Sequence, residues 1–518
     1  MTRRRSLHAS RSSRLPFWPV LAALAVLMIG LGGWRFGWFG VAADSRPAAS
    51  SRSPLIPQAP RPASPLTPSA SPSPSPSPEE PSPEPINAGF PGLTTFRGNA
   101  TRTYHGEGPA PKDPEVLWRY PSSGGMCRSS SNLGETKVWC GMGWTGQPNV
   151  VENERGRIEL RFGAYDGGVH MVKATTGKQI KETFQTGDII KGTVTSDPDG
   201  FPLLYSGSRD NYWRVLALDR GRQMEELWSI HADHAPNRVW NDDWDSSALI
   251  VDDYALVGGE NSWFYVIKLN RDYDDRGKVT VRPEVRMEVP GYDDELMADL
   301  PDDNVSIEGS PSLHDGVVYF ANSGGLVQGW DVSDVLAGGT EHERVFRFWT
   351  GDDTDASVVI DDEGHLYVAT EDERSLSRAD EVGQLMKLDP GRPKDPLVWS
   401  IQVPGGGIWA TPALYRNALY VTTNSGELVG VRRRTGKVAW RVKMPGPTWS
   451  SPAVVDDTLV VGDCNGVLHA FDVRRPFKRP RELWTVQLEG CIEATPAVWK
   501  GMVYVGARGG AIYGIGDP

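Results

Sequence analysis

From residue 89 onward, apolar runs of three to six residues alternate with Gly, Asp and Asn turns, the pattern of many short strands. Two stretches show the unit plainly: WATPALYRNALYVTTNSGELVGVRRRTGKVAW (409–440) and WSSPAVVDDTLVVGDCNGVLHAFDVRRPFKRPRELW (449–484). Each reads as an apolar strand, a turn, a second strand, a Gly turn, a third strand and a Trp-ended fourth. Trp118, Phe184, Trp228, Met287, Trp349, Trp399, Trp440 and Trp484 close comparable segments. Their seven intervals span 366 residues, about 52 each, which suits a four-stranded blade with its loops. Only 34 residues follow Trp484, enough for three strands, and Leu117-Trp118-Arg119-Tyr120 supplies a fourth. The pattern therefore predicts an all-β, eight-bladed β-propeller closed by pairing its N- and C-terminal strands, which hides both sheet edges.

A small residue followed by Ser or Thr precedes each expected inner strand. The pairs are Ser129-Ser130, Gly192-Thr193, Ser246-Ser247, Gly309-Ser310, Ala356-Ser357, Ala410-Thr411, Ser450-Ser451 and Ala494-Thr495. Innermost strands converge on an axis where only small side chains fit. The residue before each pair then points to the channel mouth: Arg128, Lys191, Asp245, Glu308, Asp355, Trp409, Trp449 and Glu493. Two cations, three carboxylates and two indoles in succession form a candidate site for a small polar ligand, with aromatic faces for stacking. The alternative is a solvated polar rim.

The N-terminus sets a different pattern. Five arginines within residues 1–14 precede the uncharged run LPFWPVLAALAVLMIGLGGW (15–34), long enough to cross a bilayer as a helix. Residues 1–14 read as a cytoplasmic basic tail and 15–43 as a transmembrane signal-anchor, placing the remainder outside the cytoplasm in a single-pass membrane protein. A cleavable signal peptide is the competing reading, with Val41-Ala42-Ala43 as its cleavage site. Residues 44–88 form a Ser/Pro linker holding 14 of the 41 prolines, with no means of building a core. Residues 89–518 are the propeller.

Composition narrows the function classes. The 57 Gly, 41 Pro and 19 Trp disfavour a helical bundle. The net charge is −12, from 54 basic and 66 acidic residues. Residues 1–88 hold nine of the bases and four of the acids, so the propeller carries −17 and excludes nucleic-acid binding by bulk charge. Four cysteines outside the membrane suggest two disulfides. Cys464 and Cys491 fall on loops of one face near the closure, and Cys127 and Cys140 on an expected antiparallel pair forming the first two strands of blade one. Asp272-Tyr273-Asp274-Asp275-Arg276-Gly277 reads as a hairpin turn rather than a calcium loop, because Arg276 and Pro283 occupy ligand positions. His231 and His234 read as parts of a polar loop.

The units resemble the pyrroloquinoline quinone-like repeat (quinoprotein-like) β-propellers. The resemblance rests on Thr435-Gly436-Lys437-Val438-Ala439-Trp440, on Ala470-Phe471-Asp472, on the Ser/Thr-Pro starts at 411–412, 451–452 and 495–496, and on the lead-in Phe96-Arg97-Gly98-Asn99. It spans about 95–518 and is clearest in blades six to eight. It implies two functions. One is a binding or scaffolding module for cell-envelope proteins or a small polar ligand, acting as a monomeric propeller. The other is a quinoprotein dehydrogenase using pyrroloquinoline quinone (PQQ) and Ca²⁺. The mouth ring itself makes Asp245, Glu308 and Asp355 candidate metal ligands, and the acidic approaches 241–245, 302–304 and 352–355 on the same face could together bind Ca²⁺. For the second function, Trp409 or Trp449 is the stacking face and Glu308 or Asp355 a ligand or base. The adjacent-cysteine disulfide of those dehydrogenases has no counterpart here.

Overall fold

The computed structural model describes residues 83–518 apart from 133, 144, 145 and 154. The expected tail, anchor and most of the linker lie outside the described residues. Among the described residues, no helix is long and apolar enough to cross a membrane.

Eight sheets of four or five strands follow one another as blades. Blade one is built from Asn149–Glu152, Ile158–Gly163, Gly168–Lys173 and Phe184–Gln185, and blade seven from Ala453–Val455, Thr458–Gly462, Val467–Asp472 and Arg481–Gln487. Blade eight takes three strands from the C-terminus, Ala497–Trp499, Met502–Ala507 and Ala511–Gly516, and its outermost strand, Glu115–Tyr120, from the N-terminal side. This is the closure expected from the pattern.

Chain convergence at the axis leaves inner backbone N–H groups without strand partners, and the Ser/Thr positions meet that need. The N–H of Thr193 donates to Ser247 Oγ (3.0 Å), Ser247 to Ser310 (3.1 Å), Ser310 to Ser357 (2.8 Å), Ser357 to Thr411 (3.0 Å) and Thr411 to Ser451 (2.9 Å). In blade one the position belongs to Gly146-Gln147, not Ser129-Ser130. Gln147 N–H donates to Thr193 Oγ1 (2.8 Å), and Thr495 N–H to the Gly146 carbonyl (3.0 Å). Between blades seven and eight the link is Ser450 Oγ donating to the Ala494 carbonyl (2.8 Å), so the ring is hydrogen-bonded from blade to blade at the axis.

The misplacement has a physical cause. Cys127–Asn132 and Glu135–Cys140 alternate like blade strands, but they form a separate two-stranded hairpin in which Cys127 pairs with Cys140. That hairpin is an insertion ahead of blade one. A second small correction concerns blade four. Outermost strands carry a bulge just before the residue that packs on the third strand, and there Phe346 opposite Gly329 holds the place of Trp440 opposite Gly430. Trp349 lies at the strand end.

The outer tryptophans also tie neighbouring blades. Trp399 Nε1 donates to the Arg433 carbonyl (2.9 Å), Trp440 to Pro476 (2.8 Å), and Trp118 of blade eight to Ala174 of blade one (2.9 Å). Gly436 has positive φ and its missing Cβ leaves room for the Trp399 ring, so the Thr-Gly turn is required there.

Residues 92–107 close the opposite end of the channel. Gly92–Leu93 pairs with blade one and Gly106–Glu107 runs parallel to Ala497–Trp499 of blade eight. Between them, Thr94 O accepts from Ser196, Thr95 Oγ1 donates to Ala248 O, Ala100 O accepts from Leu313 and Thr101 O from Ile360. Arg97 donates to Thr411 O (2.8 Å), and Val454 N–H donates to His105 Nδ1 (3.2 Å). One short segment therefore bonds to every blade. Arg97 and Arg102 are fully buried within it, and burial lowers both guanidinium pKa values to about 9. Burial and neighbouring Arg97 hold His105 well below the ordinary imidazole range.

Candidate functional site

At the other end of the channel, two rings of side chains meet. The first is the expected one, seven of whose members sit just before the inner strands. The second was missed by sequence reasoning. It consists of the residue that follows each second strand. A repeated backbone bond fixes its place: Arg209 N–H donates to Ile189 O, Glu260 to Asp243, Ser323 to Ser306, Glu371 to Asp353, Asn424 to Gly407, Cys464 to Pro447 and Arg508 to Cys491. Each acceptor lies two residues before a first-ring residue. A signal was present in blades four, six, seven and eight, where Ser323, Asn424, Cys464 and Arg508 open a Gly turn, but not at Arg209, Glu260 or Glu371.

The rings neutralise one another unevenly. Lys191 Nζ contacts Asp245 and lies 2.9 Å from Glu260 Oε1. Arg209 pairs with Asp243, and Arg508 lies 3.1 Å from Glu493. Desolvation is the largest influence on Lys191, but the surrounding Asp245, Glu260 and Glu308 overcome it and hold its pKa well above the ordinary value. Glu260 is kept below the carboxylate range against the cost of burial, chiefly by Lys191.

Blades four and five lack such compensation. Ser323 Oγ donates to Asp355 (2.8 Å), Trp409 Nε1 donates to the same carboxylate (3.3 Å), Asn424 donates to Glu371 (3.0 Å) and Ser306 to Glu308 (3.1 Å). These donors are neutral. The nearest cation, Arg374, lies 3.8 Å from Asp353 and is shared with Asp302 and Asp352. Burial, then like charge, pushes Glu308 and Asp353 well above the ordinary range and Glu371 to about 9. Burial likewise raises Asp355. Carboxylate oxygens of Asp353, Asp355 and Glu371 lie within 4.8 Å of one another. Asp353 Oδ1 is buried with no hydrogen-bond partner.

The candidate residues from sequence therefore separate. Asp355 and Glu308 converge on the axis, lining a cavity of about 10 Å³ with Phe96 and the small-residue ring. Asp245 joins Lys191, yet burial, with Glu260 and Asp243 close by, still raises its carboxyl well above the ordinary range. Trp409 and Trp449 pack edge to face at 5.3 Å. Arg128 is not in the ring: it lies on the inserted hairpin and donates to Thr186 O (3.1 Å). The same hairpin brings Trp139 over the mouth, where Arg209 and Arg508 stack on it at 5.4 and 4.9 Å.

Both disulfides form as expected, Cys127–Cys140 across the hairpin and Cys464–Cys491 beside the closing blade. Asp272–Tyr273 and Val279–Thr280 form the expected hairpin. His231 pairs with Asp233 and His234 with Glu288, so they share no site.

Two cofactors follow from the quinoprotein resemblance, and the residues treat them differently. Among the described residues the side-chain arrangement does not fit a tricyclic quinone: the cavity bordered by Phe96, Glu308 and Asp355 is that of one water molecule, the indoles lie against each other, and Lys191 and Arg508 are already bound to carboxylates. Calcium suits the donor set, because Asp353, Asp355 and Glu371 offer clustered hard oxygens, and a cation would favour their ionised forms over the protonated forms that burial and mutual repulsion favour.

Residues 383–475, from blade five into blade seven, match a model of the family described as outer membrane protein assembly factor BamB, a PQQ-type repeat. BamB from Moraxella catarrhalis superposes with a TM-score of 0.51 at 15% identity, covering 76% of this chain and all of that one. A europium-containing methanol dehydrogenase gives 0.55 at 12%, covering 82% and 98%. Sqt1 from Saccharomyces cerevisiae gives 0.51 at 12%, covering 70% and 93%. At such identities these likenesses show the fold. No curated protein matches the sequence significantly.

Proposed function

We propose that this chain, a propeller of pyrroloquinoline quinone-like repeats, is a membrane-anchored extracytoplasmic binding module. Its mouth holds a divalent cation, and its exterior holds envelope proteins. The observation that carries the reading is the cluster of three buried carboxylates, Asp353, Asp355 and Glu371, whose oxygens lie within 4.8 Å of one another and whose closest cation, Arg374, is shared with Asp302 and Asp352. An isolated buried carboxylate is costly, and a bound cation removes that cost. Asp353, Asp355 and Glu371 hold the ion. Glu308 borders the same space, while Lys191 and Arg209 keep the neighbouring carboxylates out of it.

The scaffolding half of the reading draws on the family match to an assembly factor. It also draws on aliphatic side chains left exposed on outermost strands, Val116 and Leu117, Val345, Val398 and Leu483, and on Val138, 69% exposed at the hairpin over the mouth. Oxidoreductase chemistry has less support, since among the described residues the cavity bordered by Phe96, Glu308 and Asp355 is too small for its quinone.

A photo-crosslinking residue at Val138 or Val345, in the full chain expressed in its own cells, tests the scaffolding role. The reading expects discrete crosslinked species containing an envelope protein. Crosslinks to none from either position contradict it.

A further inference from the structure

The propeller body carries −17, yet one outer edge is strongly basic. The turn between the third and fourth strands of blade seven supplies Arg474, Arg475, Lys478, Arg479 and Arg481, which line an open cleft of about 250 Å³ with Asp472. Blade six adds Arg432, at the end of its third strand, whose guanidinium lies over Phe477 of this turn. Arg474 lies 3.9 Å from Asp472. Arg475, Lys478, Arg479 and Arg481 have no acid within 4 Å among the described residues, whereas most arginines elsewhere are paired.

The turn is not free to spread these charges apart. Val473 N–H donates to Asp457 O, Lys478 N–H to Arg475 O and Trp440 Nε1 to Pro476 O, each within 2.9 Å. Phe477 packs on the core between blades six and seven, and Arg432 stacks on its ring at 4.0 Å. Pro476 and Pro480 restrict the backbone further. Like charges fixed on an ordered loop repel one another, and an anion bound between them relieves that repulsion.

We propose that this cleft is an anion site that takes phosphate groups. Guanidinium forks match the oxygens of a phosphate bidentately, and a preorganised set loses little entropy on binding. The cleft lies on the side of the ring where residues 92–107 cross the channel, since Asp457 belongs to the same turn that borders Gly108. It is therefore on the face opposite the acidic mouth and independent of the cation site.

The phosphate can come from a lipid headgroup or from a soluble phosphate. Calorimetric titration of the full chain in neutral-detergent micelles separates these, using inorganic pyrophosphate in one arm and dioctanoyl phosphatidylglycerol doped into the micelles in the other. Binding in either arm that weakens with rising salt, and that falls at least tenfold in R475E/R479E but not in the exposed control R155E, supports the site. The binding arm identifies the source. Dioctanoyl phosphatidylcholine gives the uncharged baseline. No binding in either arm, or equal binding by R475E/R479E, overturns it. Both substitutions are at exposed positions, and circular dichroism spectra like those of the wild type confirm the folded state.

Discussion

Lys191 Nζ lies 2.9 Å from Glu260 Oε1, joining blade two to the second ring of blade three while also touching Asp245. One ammonium thus holds two buried carboxylates at the mouth. Replacing Lys191 with Met leaves both without a counterion. The expected loss is about 3–5 kcal/mol of unfolding free energy in urea denaturation. A loss below about 1 kcal/mol contradicts the pairing.

The closing segment makes a second claim. Arg102 donates to Phe96 O (2.7 Å) and, through Nε, to Pro311 O (2.8 Å), fixing the lead-in against blade four. Arg102→Ala strands those buried carbonyls. With charged hydrogen bonds contributing about 1.5–3 kcal/mol each, a loss of about 3 kcal/mol or more is expected by chemical denaturation. Near-neutral behaviour would mean that the segment does not close the ring as described.

The disulfides differ in the loops they close. Cys464–Cys491 spans 27 residues and Cys127–Cys140 spans 13. Chain entropy predicts losses of about 3.5 and 3 kcal/mol for the paired Ser variants. Their effects should differ in kind as well. Opening the hairpin should increase protease cleavage near Trp139 with the propeller intact, whereas opening Cys464–Cys491 should loosen blades seven and eight together in hydrogen exchange.

Stability at acid pH should reflect Asp293. It caps the helix Asp294–Asp299 by accepting from Leu296 N–H and binds Arg344 and Arg347 at 2.8 and 2.9 Å. Arg347 beside it, with these other bonds, holds its carboxyl well below the ordinary 3.8. A depressed carboxylate stabilises the fold above the unfolded value and loses that contribution as pH falls. Asp293→Asn should therefore lower the thermal midpoint at pH 7, and its difference from wild type should narrow below about pH 4. A constant difference across pH would rule out the charge as the cause.

Much of the ring was legible because repetition sets it. Trp440 and Trp484, the Thr-Gly turn at 435–436 and the small-Ser/Thr pairs each mark a fixed place in a blade, and the strand Glu115–Tyr120 closes the set. Blade one was not, because the hairpin Cys127–Cys140 alternates like a blade and carries its own Arg-Ser-Ser. The mouth was half legible. Lys191 through Glu493 stand next to the repeated geometry of the inner strands, but their partners Glu260, Glu371 and Arg508 come from turns of varied length, and only the folded ring pairs them. Charge placement was the hidden part: sequence order gives three carboxylates in succession, while the structure sets Asp245 against Lys191 and Asp355 against the neutral donors Ser323 and Trp409.

Calorimetric titration of the full chain with CaCl₂ tests the central claim most directly. The account predicts binding of one Ca²⁺ per chain, weakened at least tenfold in Asp353→Asn and in Glu371→Gln, with both variants retaining the wild-type near-ultraviolet circular dichroism. No calcium binding by the wild type, or binding unchanged in both variants, would contradict it.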